Sequence, residues 1–204
     1  MYSITELDAI NQILKPIDGT KLSTLNVPLN RTINTARQAL AIATDLVQVE
    51  NQWNFHMDGP LELSSDGDGE IIMPPDYLWL QFVYWSQGFM LHLTVRDGKA
   101  WDTSRGTAQV GGTVKVIGAR RFSFEECPYA IQNLMIQKAK MEYLALDTHV
   151  SRDKASVFQA AIESAYASAY KWDSQLQANQ VSLMPSLRQT IRQRGGNRGW
   201  WWGY

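Results

Sequence analysis

Cysteine is almost missing from this sequence. Cys127 is the only one in 204 residues, so neither an intramolecular disulfide nor a cysteine-built zinc site can form within the chain. Long apolar runs are missing too, and none approaches the roughly 20 residues that a bilayer span requires. The first residues, Met-Tyr-Ser-Ile-Thr-Glu, lack a basic segment followed by an apolar core. No signal peptide or membrane insertion is therefore expected, and the chain should be made in the cytoplasm and stay soluble there. The signatures of common catalysts are also absent. There is no P-loop and no glycine-rich dinucleotide turn after a strand, and no nucleophile elbow. His56, His92 and His149 are far apart in sequence and form no metal-binding helix motif. Asp66, Asp68 and Glu70 have a trace of calcium-loop spacing but lack the later ligands and the distal glutamate. The adjacent Glu125 and Glu126 are better explained by the dipole of a helix start than by a glycosidase pair. The expectation is a protein without cofactor or metal, and not an enzyme.

Charge of one sign is missing over two long stretches. No Lys or Arg occurs from residue 38 to 95, where Asp45, Glu50, Asp58, Glu62, Asp66, Asp68, Glu70 and Asp76 all fall. Such a stretch is either a solvated acidic face or a surface from which DNA, itself densely anionic, is repelled so that it slides past. Residues 186–204 show the reverse, with Arg188, Arg192, Arg194 and Arg198, then Trp200, Trp201 and Trp202, and no acid. Trp and Arg dominate interface hot spots, so one reading is a clamp on a partner. Contact with phosphates and bases and a plain frayed terminus are the others.

What is present describes a globular chain. Hydrophobic residues make up 45% and charged residues 19%, with a net charge of −1, which excludes a disordered polyelectrolyte. Ser3 to Glu6 spells a capping box, followed by Leu7, Ile10, Leu14 and Ile17 at helical spacing. A second helix is predicted over residues 32–53. One of its apolar stripes is Ile33, Ala36, Leu40, Ala43 and Val47; the other is Ala39, Ile42, Leu46, Val49 and Trp53. Runs then shorten. Residues 66–69 and Asp97-Gly98 read as turns, with a hairpin of residues 91–96 and 99–102 around the second. Residues 113–117 suggest a strand, and residues 77–85 fit either strand or helix. A third helix is predicted from Pro128, with Ala130, Leu134, Met141 and Ala145 on one face. After a break at residues 147–150, Ser151 caps a fourth helix. Its seam, Ala155, Phe158, Ile162, Ala165, Ala169, Trp172 and Leu176, alternates steps of three and four, as in a bundle helix.

These elements predict an α+β fold, mostly a four-helix bundle with an inserted small antiparallel β domain and a C-terminal tail. The two halves of the bundle would be residues 1–53 and 123–180, the β insertion residues 54–122, and the basic aromatic tail residues 181–204.

Several segments, in order, resemble one family. They are Leu7-Asp8-Ala9-Ile10-Asn11-Gln12-Ile13-Leu14; Pro28 and the alanine-rich helix ending at Trp53-Asn54-Phe55; Pro75-Asp76-Tyr77-Leu78; and Arg96-Asp97-Gly98-Lys99-Ala100-Trp101-Asp102. Last come residues 114–120 followed by Phe124-Glu125-Glu126-Cys127-Pro128. Together they resemble tail tubular protein A of short-tailed phages over roughly residues 3 to 145; residues 186–204 match nothing in that pattern. The resemblance implies a virion protein of the tail, made in the host bacterium, that acts as gatekeeper or head–tail adaptor. Twelve copies would form a ring under the portal protein, with the bundle on the portal and the β region toward the tail nozzle, around a lumen through which double-stranded DNA leaves. Within that scheme Arg188, Arg192, Arg194, Arg198, Trp200, Trp201 and Trp202 would grip the portal, and Asp58, Glu62, Asp66, Asp68 and Glu70 would face the channel or nozzle. The alternative is a nucleic-acid-binding protein acting through the Arg/Trp tail, with affinity that falls steeply with salt.

Overall fold

The structure is a computed structural model. It describes residues 3–16, 19, 21–25, 30–51, 53–87, 92–146 and 155–183, with side chains as far as residue 177. The expectations for Ile17, Pro28, His149, Ser151, residues 147–150 and the tail residues 186–204 lie outside them. Among the described residues the chain forms four α-helices and five strands, an α+β fold with small antiparallel sheets.

Helix α1 is Glu6–Leu14. Its cap is Thr5, whose hydroxyl accepts the Asp8 amide at 3.2 Å, and not Ser3. Glu6 is drawn away from a capping role by Arg37 at 3.0 Å. The Glu6 amide donates instead to the Glu125 carboxylate, 3.0 Å away, and Ser3 Oγ donates to the Glu125 carbonyl. The reciprocal Ser/Glu capping box of this chain is Ser123 with Glu126, at the 3-10 turn Phe124–Glu126. Buried Gln132 completes the anchorage of the N-terminal segment, accepting from the Ile4 amide at 2.9 Å and donating to Ile4 O and Phe124 O.

Helix α2, Arg31–Glu50, is capped by Asn30. Its first stripe is buried as expected, from Ile33 to Val47. The second is not a packing face throughout. Ala39 is buried, and so is Trp53 beyond the helix end, but Leu46 is 37% and Val49 62% exposed. The second buried side carries Thr44 and Gln48 instead.

The segment left open between helix and strand is a strand. With β1 as Met57–Ser64, β2 as Tyr77–Trp85 and β5 as Thr113–Arg120, the antiparallel order is β1-β5-β2. The hairpin β3, Leu93–Arg96, and β4, Lys99–Asp102, turns at Asp97 and Gly98, both at positive φ (52° and 71°). That is a type I′ turn, whose twist suits a two-residue hairpin. Strand β1 went unpredicted. Gly59-Pro60 breaks its alternation, and the ladder to β5 carries an irregularity there, between Asp58 and Leu61. Gly118 on β5 lets β2 approach, because a Cβ there would lie 2.5 Å from the Trp79 carbonyl oxygen.

Helix α3, Tyr129–Leu146, packs against α1, α2 and α4. It buries Ile131, Gln132, Leu134, Met135, Ile136, Ala139 and Tyr143, so its buried surface is wider than the face expected for it: Leu134 is buried and Met141 packs on the helical core, but Ala145 is exposed. A helix surrounded on several sides shows little periodicity. Helix α4, Ala155–Leu183, keeps its seam. Phe158, Ile162, Ala165 and Ala169 are buried, and Trp172 and Leu176 are half-buried. It packs on α3. Two hydrophobic cores result, one among the helices and one formed by the sheet and hairpin around Ile71, Trp85, Ala100, Val114 and Val116.

Candidate interaction surfaces

The junction between the cores is built from side chains that grip backbone. Gln48, fully buried, accepts from the Phe122 amide at 2.9 Å and donates to the Phe122 carbonyl at 3.0 Å. It thereby fixes the chain where β5 leaves the sheet for the helices. Asp173 does the same on the other side. Its carboxylate accepts the Asn54 amide at 2.9 Å and Asn54 Nδ2 at 2.6 Å. Phe55, Phe122 and Trp172 cluster between them. His56 lies just beyond, 1% exposed, with no hydrogen-bond partner on either ring nitrogen among the described residues. Burial lowers its pKa from 6.5 to about 4. Gln48 and Asp173 did not stand out in the sequence, because a buried Gln or Asp on a helix reads as a solvated position.

The structure gathers the five candidate channel acids on β1 and the turn after it. Asp58 accepts the Tyr77 hydroxyl at 2.7 Å, and burial together with the Asp58 carboxylate pushes the Tyr77 phenol up to about 12. Glu62 pairs with Lys115 at 3.3 Å, and Glu70 pairs with Lys99. Asp66 Oδ1 holds the turn by accepting the amides of Asp68 and Glu70. Elsewhere in the acidic stretch, Asp76 meets Arg120 at 2.7 Å, Asp45 meets Arg121 at 3.7 Å and Glu50 meets Lys138. The sequence interval without cations is thus interleaved with cations from residues 99–138. The seven tail residues singled out for partner contact lie outside the described residues.

Two of the clefts among the described residues bear on interaction. One, about 650 Å³, runs between α1, α2 and the end of β5, with Leu40 and Phe122 inside a rim of Glu6, Arg37, Asp45 and Arg121. The other, about 770 Å³, separates β2 from β3. Leu46 and Val49 on α2 and Val157 and Tyr170 on α4 are exposed apolar residues of the helices. Among the described residues no group of three His, Cys, Asp or Glu is arranged to hold a metal ion. No described helix is long and apolar enough to cross a membrane. Cys127 is buried, and burial with the nearby Glu126 charge pushes its thiol up to about 12, far from the thiolate that reactivity requires.

A family model of tail tubular proteins matches residues 7–179, and the chain belongs to that family, structural components of phage tails and not an enzyme family. The match takes in both cores and stops short of the basic aromatic segment. No curated protein matches the chain.

Proposed function

We propose that the chain is the gatekeeper adaptor of a short-tailed phage, a ring of twelve copies between portal and tail nozzle through which the genome leaves. The observation that carries this reading is the family match across residues 7–179. In this reading residues 1–53 and 123–180 act together as a four-helix bundle that docks on the portal. The sheet of residues 54–122 faces the nozzle, with Asp58, Glu62, Asp66, Asp68 and Glu70 toward the nozzle or lumen. The tail, through Arg188, Arg192, Arg194, Arg198, Trp200, Trp201 and Trp202, grips the portal. Each contact in a closed ring is heterologous, so modest contacts add through multivalency. The tight hold of Gln48 and Asp173 on the junction suits an adaptor, which must transmit position from one partner to the other.

The test is co-sedimentation with the cognate portal, using the full chain and a chain ending before Ser186. Near-equimolar pelleting of the full chain supports the adaptor, and loss on truncation assigns the tail as clamp. Failure of both forms to pellet removes the adaptor reading. Salt-sensitive binding of DNA that depends on the tail would replace it with a nucleic-acid-binding role.

A further inference from the structure

The two edges of the three-stranded sheet are built differently. Edge β1 carries Gly59, Pro60, Asp58 and Glu62 and a ladder irregularity between Asp58 and Leu61. Proline, charge and irregularity are the devices by which an edge strand is kept from pairing with another chain. Edge β2 reads Tyr-Leu-Trp-Leu-Gln-Phe-Val-Tyr-Trp, without a charge or a proline over nine residues. Its pairing with β5 shifts at Tyr77/Trp79 and at Phe82/Tyr84, leaving Trp79 to Phe82 as a regular run between. Among the described residues β2 has a strand partner only on its β5 side, and β3 only on its β4 side.

These two free edges are the lips of the 770 Å³ cleft. Residues 77–82 of β2 and 93–95 of β3 line it consecutively. Alternate residues would line a cavity on one face of a strand; consecutive ones mean that the cleft runs along the strand edges, where backbone donors and acceptors lie. The hairpin shares one buried cluster with the sheet, Leu93 and Ala100 with Phe82, Val114 and Val116, and β2 and β3 bound an open seam beside it. No lining residue is charged. That disfavours DNA and the four-arginine tail as occupants, and it favours an uncharged peptide.

We propose that the β2/β3 seam is a strand-insertion site that takes an extended, uncharged, apolar segment of the adjoining tail component by backbone pairing. Only the identity of the donor rests on the adaptor reading; the site itself does not. The test is hydrogen–deuterium exchange of the full chain with a capped ten-residue peptide of alternating valine and threonine. Comparison probes are the same peptide interrupted by two prolines, a peptide of residues 186–204, and double-stranded DNA. At saturation the valine–threonine peptide is expected to slow exchange of β2 and β3 amides about tenfold and to leave β1 unchanged. The double variant Gln81→Lys/Val95→Lys, which places charge at two exposed seam positions, should lose that protection while keeping the thermal midpoint and portal co-sedimentation. If the variant melts early, the wild-type peptide comparison decides alone. No protection in β2 and β3, equal protection of β1, or equal protection by any comparison probe overturns the proposal. Seam protection in a protein that fails to pellet with portal rejects the adaptor reading and leaves the seam standing.

Discussion

Asp173 illustrates how much one side chain decides in this protein. It sits on α4 at 7% exposure and satisfies the Asn54 amide and side chain at the chain's exit toward β1. Asp173→Ala strands a partly buried N–H, so a loss of about 2 kcal/mol is expected from urea unfolding; a loss under about 0.5 kcal/mol would mean that water replaces the carboxylate without cost. His56 supplies a pH dependence of definite sign. Its folded pKa of about 4 lies below the usual 6.5, so the unfolded chain takes up a proton first as pH falls. The stability contributed by the neutral imidazole is whole above pH 6.5, declines between 6.5 and 4, and is gone below 4. Over that window the wild type should lose up to about 3 kcal/mol more than His56→Phe. Urea midpoints of both proteins at pH 7, 5.5 and 4 check this, and parallel pH curves would refute it.

Elements were legible from the sequence in proportion to how simply each one is buried. Helix α4 packs mainly on α3, so Phe158, Ile162, Ala165 and Ala169 spell its seam. The hairpin was equally plain, because only a residue pair such as Asp97-Gly98 tolerates positive φ at both turn positions. Helix α3 touches three others, and its periodicity dissolves. The second stripe of α2 misled because Leu46 and Val49 are apolar yet exposed, while Thr44 and Gln48 are polar yet buried. Ser3-x-x-Glu6 was a capping box in letters only, since Glu6 had Arg37 to meet. Sequence spacing likewise could not show that Glu62 and Glu70 would find Lys115 and Lys99. Strand pairing yields a sharper expectation. Gly118→Ala drives a methyl to 2.5 Å from the Trp79 carbonyl and 2.6 Å from Leu80 Cδ2, and backbone in a ladder cannot step aside. A cost of about 1–3 kcal/mol in a denaturant melt follows. Gly67→Ala, in open space, should change stability by less than about 0.5 kcal/mol. Equal effects of the two substitutions would show that β2 can shift away from β5.

At the scale of the whole molecule the question is whether two cores behave as one. Among the described residues the contacts at the junction include Gln48 on Phe122, Asp173 on Asn54, the Phe55, Phe122 and Trp172 cluster on the flank of the helical core, and the Asp45–Arg121 pair at 3.7 Å with both side chains more than half exposed. An exposed pair at that distance contributes little, which leaves the buried Gln48 amide, the Asp173 carboxylate and the aromatic cluster to couple the two cores. With all three in place, a single calorimetric transition is expected, with equal van't Hoff and calorimetric enthalpies. Gln48→Leu keeps most of the volume but leaves the Phe122 amide and carbonyl without their partner, at about 2–3 kcal/mol for the two groups. Combined with Asp173→Ala it removes both grips at once. The double variant should then unfold over a broader range, with a van't Hoff enthalpy clearly below the calorimetric one, as the sheet core and helical core part company. If the transition moves to lower temperature but stays as sharp, the aromatic cluster alone couples the cores, and Phe55 becomes the residue to change. Under the adaptor proposed above, the junction also bears on assembly: a subunit that bent there would present its sheet at a different angle to the next tail component even while its helices docked. The double variant is therefore expected to retain portal co-sedimentation at low temperature and to lose attachment of the nozzle, which the same sedimentation assay with nozzle added would read directly.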